Sequence, residues 1–261
     1  MRVTALPLTV AVAWLLALEA RCAAEPGQQK QIRIVAFGDS TTALRDTVGK
    51  VYAQRLAEQL PARGIRVSIV NAGVPSNDTA GALERIERDV LKQHPDLLIV
   101  QFGINDSAVD VWKKPPATSP RVPLSSFRRN LTRIVELTRH GERKVILMTP
   151  NPMRWTAEMK AMYGKAPYKP ADPDGFNVLL KDYAEAVRDV AAEQKIPLVD
   201  VYEAFLEHGR QKGRSVDQLL SDGVHPNDRG HEIVAQLLVE QIVAAIAGRQ
   251  PSAAVGKPAN N

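Results

Sequence analysis

An α/β fold built on one doubly wound, five-stranded parallel sheet is predicted by three features of the sequence. Short runs rich in Val, Ile and Leu alternate with segments of helical periodicity. The apolar runs lack a clean in-out alternation, which is how strands read when helices cover both faces of a sheet. At 261 residues, 44% of them hydrophobic, the chain is also long enough for one sizeable core.

The first residues, MRVTALPLTVAVAWLLALEARCAAEPG, carry Arg2, an apolar run from Ala5 to Leu18, and the small residues Cys22, Ala23 and Ala24. That order reads as a secretory signal peptide cleaved after Ala24, so a secreted or periplasmic location is expected. The run is shorter than the roughly 20 residues of a bilayer span. A retained anchor helix is the alternative; without one, no integral span remains. Lipid modification of Cys22 fits less well, because Glu19 and Arg21 precede it. The only cysteine leaves with the leader, which removes disulfides and a thiol nucleophile from the mature chain.

Strands are expected at 32–37 (IRIVAF), 66–70 (RVSIV), 97–102 (LLIVQF), 144–149 (KVILMT) and 197–201 (PLVDV). Amphipathic helices are expected near 50–60, 79–92, 124–139, 177–194 and 228–247. In the second of these, Leu83, Ile86, Val90 and Leu91 recur at helical spacing before the breaker His94-Pro95-Asp96. Residues 25–248 thus form one domain, and 249–261 (RQPSAAVGKPANN) read as a disordered tail.

The formal charge of +5 is interspersed with acidic residues, as in LERIERDVLK at 83–92, and forms no basic stripe. Nucleic-acid binding is therefore not expected.

In a doubly wound sheet the ligand crevice lies at the carboxyl ends of the strands. Walking those ends gives Gly38, Asp39 and Ser40, then Asn71, Ala72 and Gly73, then Gly103, Asn105 and Asp106, and finally SDGVHPNDRGH with Asp222 and His225. Acyl transfer needs a hydroxyl nucleophile, an imidazole base, a carboxylate to orient it, and oxyanion donors. Ser40 is the candidate nucleophile, with its own N–H as a donor. His225 is the base and Asp222 its carboxylate, both on one short loop. The Gly73 N–H and the Asn105 side chain are the further oxyanion donors.

Each residue has a plainer reading: Ser40 as a helix cap, Gly73 as a turn residue, Asn105 as a loop cap. Asp39 and Asp106 are expected to bond loop N–H groups. Of the five histidines, His94, His140 and His208 are expected at the surface. His231 with Asp222 and Asp228 matches no metal-ligand spacing, so neither metal nor cofactor is expected.

The blocks FGDS, NAG, GINDS and DGVH resemble those of the SGNH, or GDSL, hydrolase family, over residues 32 to about 246 and in family order. The resemblance implies a flavodoxin-like sheet of order 2-1-3-4-5 with helices on both faces. It also implies a metal-free serine esterase or lipase mechanism, with Ser40, Asp222 and His225 as the triad and Ser40, Gly73 and Asn105 as the oxyanion hole. Thr41 and Thr42 depart from the apolar residue that commonly follows the family's serine.

Segments 107–123 and 150–176 are long for strand-to-helix connections, which usually run 2 to 6 residues. Together they hold nine of the chain's 18 prolines, the stiff walls of a cleft. Trp112 and Trp155 lie here, with Tyr163 and Tyr168 beside the second. Their rings suit stacking on a sugar or anchoring of the loops. The expected activity is hydrolysis of short acyl esters, acetyl foremost, on carbohydrate. The alternatives are a lysophospholipase or broad lipid esterase, and a catalytically idle carbohydrate-binding protein.

Overall fold

The computed structural model describes residues 30–247 apart from His140 and Glu142. The expected leader, the expected tail and His140 lie outside the described residues. The strands are β1 (Ile32–Gly38), β2 (Val67–Gly73), β3 (Leu97–Gln101), β4 (Lys144–Met148) and β5 (Leu198–Val199). All pair in parallel, in the order β2-β1-β3-β4-β5. The helices are α1 (Tyr52–Ala62), α2 (Thr79–Asp89), α3 (Ile104–Ser107), α4 (Leu124–Thr138), α5 (Ala157–Tyr163), α6 (Leu180–Gln194), α7 (Val201–Arg210) and α8 (Asp228–Ile246).

Successive strand side chains point to opposite faces, and the two faces have separate cores. Ile34, Ala36, Leu97, Ile99, Ile146 and Met148 pack against Leu56 and Leu60 of α1 and Leu238 and Ile242 of α8. Their neighbours Val35, Phe37, Leu98, Val100, Val145 and Leu147 pack against Ile86 of α2, Phe127 and Leu131 of α4, and Val187 of α6. Both sets are buried, so the central strands read as unbroken apolar runs. Truncating a buried ring such as Phe127 to Ala costs about 3–5 kcal/mol.

A third, smaller core lies under the two long loops. Val109, Val111, Met153, Tyr168 and Phe176 form it, with Trp155 and Tyr163 packed alongside. The loops thus carry their own apolar anchor.

The expectations for β1, β3 and β4 hold to within a residue, β2 runs three residues further, to Gly73, and β5 shrinks to two residues because α7 begins at Val201. The Asp200 side chain accepts the Glu203 N–H and starts that helix, a cap the sequence displays. The expected 79–92 helix ends at Asp89 and a single tight turn, Leu91–Gln93, follows it. His208, expected at the surface, is buried on α7. Burial, then the nearby Arg229 and Arg214, hold its imidazole below the usual histidine pKa.

Candidate active site

Register brings the first two blocks together. Gly38 and Gly73 are paired across β1 and β2, and Gly38 also pairs with Gln101 on β3. The chain then turns tightly: Thr42 N–H and Ala43 N–H both donate to the Asp39 carbonyl, at 3.2 and 3.1 Å. The Asp39 carboxylate, buried beneath, accepts from Thr41 N–H and Thr41 Oγ1 at 2.8 Å each. Burial pushes its pKa up, and the Thr41 hydrogen bonds oppose that rise. Ser40 crowns this turn twelve residues before α1 begins at Tyr52, and the cap of that helix is Val51.

Asp222 and His225 lie on a loop closed by the Leu220–Pro226 bridge. Asp222 Oδ1 accepts the N–H groups of Val224 and His225, at 3.0 and 2.8 Å, and so folds the loop around itself. Asp222 Oδ2 lies 2.7 Å from His225 Nδ1, and His225 Nε2 lies 2.9 Å from Ser40 Oγ. A carboxylate only accepts, so Nδ1 carries the imidazole proton and Nε2 offers a lone pair to the serine hydroxyl. Partial burial would raise the Asp222 pKa, but the side-chain and backbone hydrogen bonds of His225 outweigh it and hold the carboxyl well below the usual range. Arg45 Nη2, 3.4 Å from Asp222 Oδ2, adds a positive charge on the same side.

This loop is clipped to the long loop after β4. Arg154 N–H donates to the Gly223 carbonyl at 2.7 Å, and Asn151 Nδ2 donates to the Val224 carbonyl at 2.8 Å. Gly223 has φ +82°, and a Cβ there would stand 2.4 Å from the Arg154 carbonyl oxygen. Only glycine satisfies both conditions.

Asn105, in the first turn of α3, directs Nδ2 toward Asp39 Oδ2 at a long 3.4 Å. Gly73 is placed differently from its expected donor role: its N–H donates to Asn71 Oδ1 at 2.9 Å, while Asn71 Nδ2 donates to the Thr42 carbonyl at 2.7 Å. A side-chain amide two residues upstream therefore occupies that N–H. What the glycine does supply is space, because a Cβ would stand 2.2 Å from Ala43 N.

Asp106 is fully buried, and its Oδ1 accepts from Thr79 N–H at 2.9 Å and from Thr79 Oγ1. His231 is also fully buried, accepting the Tyr52 N–H on Nδ1 at 3.3 Å. Trp155 lies flat on Phe176, ring centroids 4.4 Å apart, with Nε1 donating to the Asp172 carbonyl. Trp112 is the more open of the two, 47% exposed, with Nε1 donating to Tyr163 Oη at 3.2 Å.

Two arginines were not singled out by the sequence motifs. Arg85 is buried on α2 under the Phe37 ring, 4.3 Å from its centroid. It donates to the Gly38 and Ala72 carbonyls at 2.8 Å each, binding the ends of β1 and β2 together. Arg121 donates to Asn105 Oδ1 at 3.0 Å. Neither contact follows from local spacing; only the helical placement of Arg85 beside Asp89, four residues on, has a sequence signal.

Residues 36–233 match the GDSL-like Lipase/Acylhydrolase family. The chain belongs to this family. The GDSL-like fold is reproduced in the lipase/acylhydrolase from Enterococcus faecalis, 26% identical, with a TM-score of 0.63 over 86% of this chain and all of that one. It is reproduced too in Axe2, an acetylxylan esterase from Geobacillus stearothermophilus, 25% identical, with a TM-score of 0.64 over 81% of this chain and 94% of that one. In sequence, an acetylxylan esterase of the same organism is 29% identical over 70% of this chain and 74% of its own length. The uncharacterized lipoprotein YqeF of Bacillus subtilis is 32% identical over 77% of this chain and 85% of its own. Membership makes this GDSL-like protein a carboxylic ester hydrolase. Among the described residues no helix is long and apolar enough to cross a membrane.

Proposed function

We propose that this protein is an exported serine esterase that removes short acyl groups, acetyl foremost, from carbohydrate. The observation that carries the reading is the unbroken line from Ser40 Oγ through His225 to Asp222, with contacts of 2.9 and 2.7 Å. His225 Nε2 takes the hydroxyl proton as Ser40 attacks the ester carbonyl, and Asp222 stabilises the imidazolium. The Ser40 N–H and Asn105 Nδ2 hold the tetrahedral oxyanion. His225 then returns the proton to the leaving alcohol, and water repeats the sequence on the acyl-enzyme. Gly73 N–H joins the oxyanion hole only if the Asn71 amide gives it up.

Acetyl on sugar is supported by the acetylxylan esterases among the relatives, and by Trp112, whose exposed ring suits stacking on a sugar face. Trp155, with one face on Phe176, anchors its loop instead. Export is supported by the leader-like first 24 residues and by the relative named a lipoprotein. A lipid esterase is the second reading, favoured by exposed Leu44 and Val74, the chain neighbours of Ala43 and Gly73.

A series of 4-nitrophenyl esters from acetate to octanoate, with Ser40→Ala as control, tests the reading. Preference for acetate, abolished by Ser40→Ala, is expected. Octanoate preference removes the acetylesterase assignment, and wild-type turnover by Ser40→Ala removes the serine mechanism.

A further inference from the structure

We infer that Arg121 is a positioning residue that sets the donor side of the Asn105 amide toward the reacting ester. The inference rests on the reading of Asn105 as an oxyanion donor.

A side-chain amide is ambiguous in orientation, because its oxygen and nitrogen exchange places by a half-turn. A guanidinium has donors only. With Arg121 Nη1 3.0 Å from the amide, the facing atom is Oδ1. Nδ2 is then directed away from Arg121, to the Asp39 side, where its contact is a long 3.4 Å. The reverse orientation would press the amide N–H groups against a cation. Drawing charge into Oδ1 also polarises the amide and strengthens its N–H as a donor.

Arg121 is itself held. Its Nε and Nη2 fork onto buried Asp110, with contacts of 3.1, 3.1 and 2.7 Å. Lys113 Nζ completes that carboxylate at 2.7 Å. The backbone is pinned as well: Arg121 N–H donates to the Ala108 carbonyl at 3.0 Å, and Val122 N–H to the Asp106 carbonyl at 3.1 Å. The loop after α3 thus returns to brace α3's first turn. A planar fork can hold Asp110 and Asn105 together, which the single ammonium of a lysine cannot match.

The test uses the whole protein, 4-nitrophenyl acetate, and the variants Arg121→Met, Arg121→Lys and Asn105→Ala with the Arg121→Met/Asn105→Ala double. Loss of a full oxyanion donor costs about 100- to 1,000-fold in kcat, and a misoriented one somewhat less. Arg121→Met is therefore expected to lose about 10- to 100-fold in kcat with KM within about threefold, and to add under about threefold to Asn105→Ala. Arg121→Lys keeps a cation on Asp110 and so protects folding, yet it is expected to share the kcat loss.

If Arg121→Met costs the same factor with and without Asn105, or if Arg121→Lys retains wild-type kcat, the positioning role is overturned while the Asn105 reading survives. If Asn105→Ala itself leaves kcat unchanged, the oxyanion reading fails and this inference falls with it.

Discussion

Asp222 grips His225 twice, with Oδ2 2.7 Å from the ring Nδ1 and Oδ1 accepting the same residue's main-chain N–H at 2.8 Å. One carboxylate therefore shapes the loop and selects the tautomer. Asp222→Asn, with its one amide oxygen kept on the Val224 and His225 N–H groups, turns an NH2 donor toward Nδ1 and so favours the wrong tautomer. The expected outcome is a loss of about 100- to 10,000-fold in kcat, with near-UV circular dichroism unchanged. A kcat within about threefold of wild type would remove Asp222 from the mechanism.

Gly73→Ala is expected to damage the nucleophile's turn rather than delete a donor. The new Cβ would stand 2.2 Å from Ala43 N, a backbone atom that cannot swing aside. We expect a loss of about 1–3 kcal/mol in urea unfolding together with reduced kcat. Asn71→Ala provides the contrast, since it frees the Gly73 N–H without adding bulk. If Gly73→Ala keeps full stability, the close approach is not a constraint.

The two tryptophans are expected to respond differently. Trp112→Ala should raise KM for an acetylated xylo-oligosaccharide about 3- to 10-fold, from lost stacking of about 1 kcal/mol, and leave 4-nitrophenyl acetate and Tm alone. Trp155→Ala should lower Tm by several degrees through the lost Phe176 contact. Equal KM for the oligosaccharide in wild type and Trp112→Ala would take sugar stacking away from that ring.

Burial pushes the Asp106 carboxyl up to about 7, against the Thr79 hydrogen bonds. The unfolded carboxyl titrates near 4. Between about pH 4 and 7 the folded protein therefore holds an extra proton, and this group's effect is to lower stability as pH rises. Burial also holds His231 down to about 4, below its unfolded value near 6.5, so its effect has the opposite sign and stability is lost as pH falls through that window. Asp106→Asn keeps an acceptor for Thr79 and cannot ionise. Its Tm is expected to fall less than that of wild type between pH 5 and 8, and parallel curves would exclude Asp106 as the source.

The sheet was legible because its central strands are buried on both sides, so Ile34 to Phe37 and Leu97 to Val100 display continuous burial as sequence. β5 was less so: it has two residues, and Val201, which prolongs its apolar run, belongs to a helix started by Asp200. That Ser40, His225 and Asp222 meet in one hydrogen-bonded line was legible because acyl transfer demands those residue types at strand ends. The bond from the Gly73 N–H to Asn71 has no sequence signal, because it is set by how one amide folds back on its own strand. Arg121 shows no local signal, since its tie to Asn105 spans 16 residues and depends on where a loop returns.

The clip between Asn151 or Arg154 and the Gly223-Val224 backbone has an evolutionary consequence. In this chain the long loop after β4 and the loop bearing His225 form one mechanical piece. Lengthening or re-bending the 150–156 segment to admit a new alcohol would displace His225 along with it. Changes of specificity by that route should cost turnover, whereas the 112–120 stretch, which carries neither such a clip among the described hydrogen bonds nor Arg121, is the freer ground for adapting to new esters.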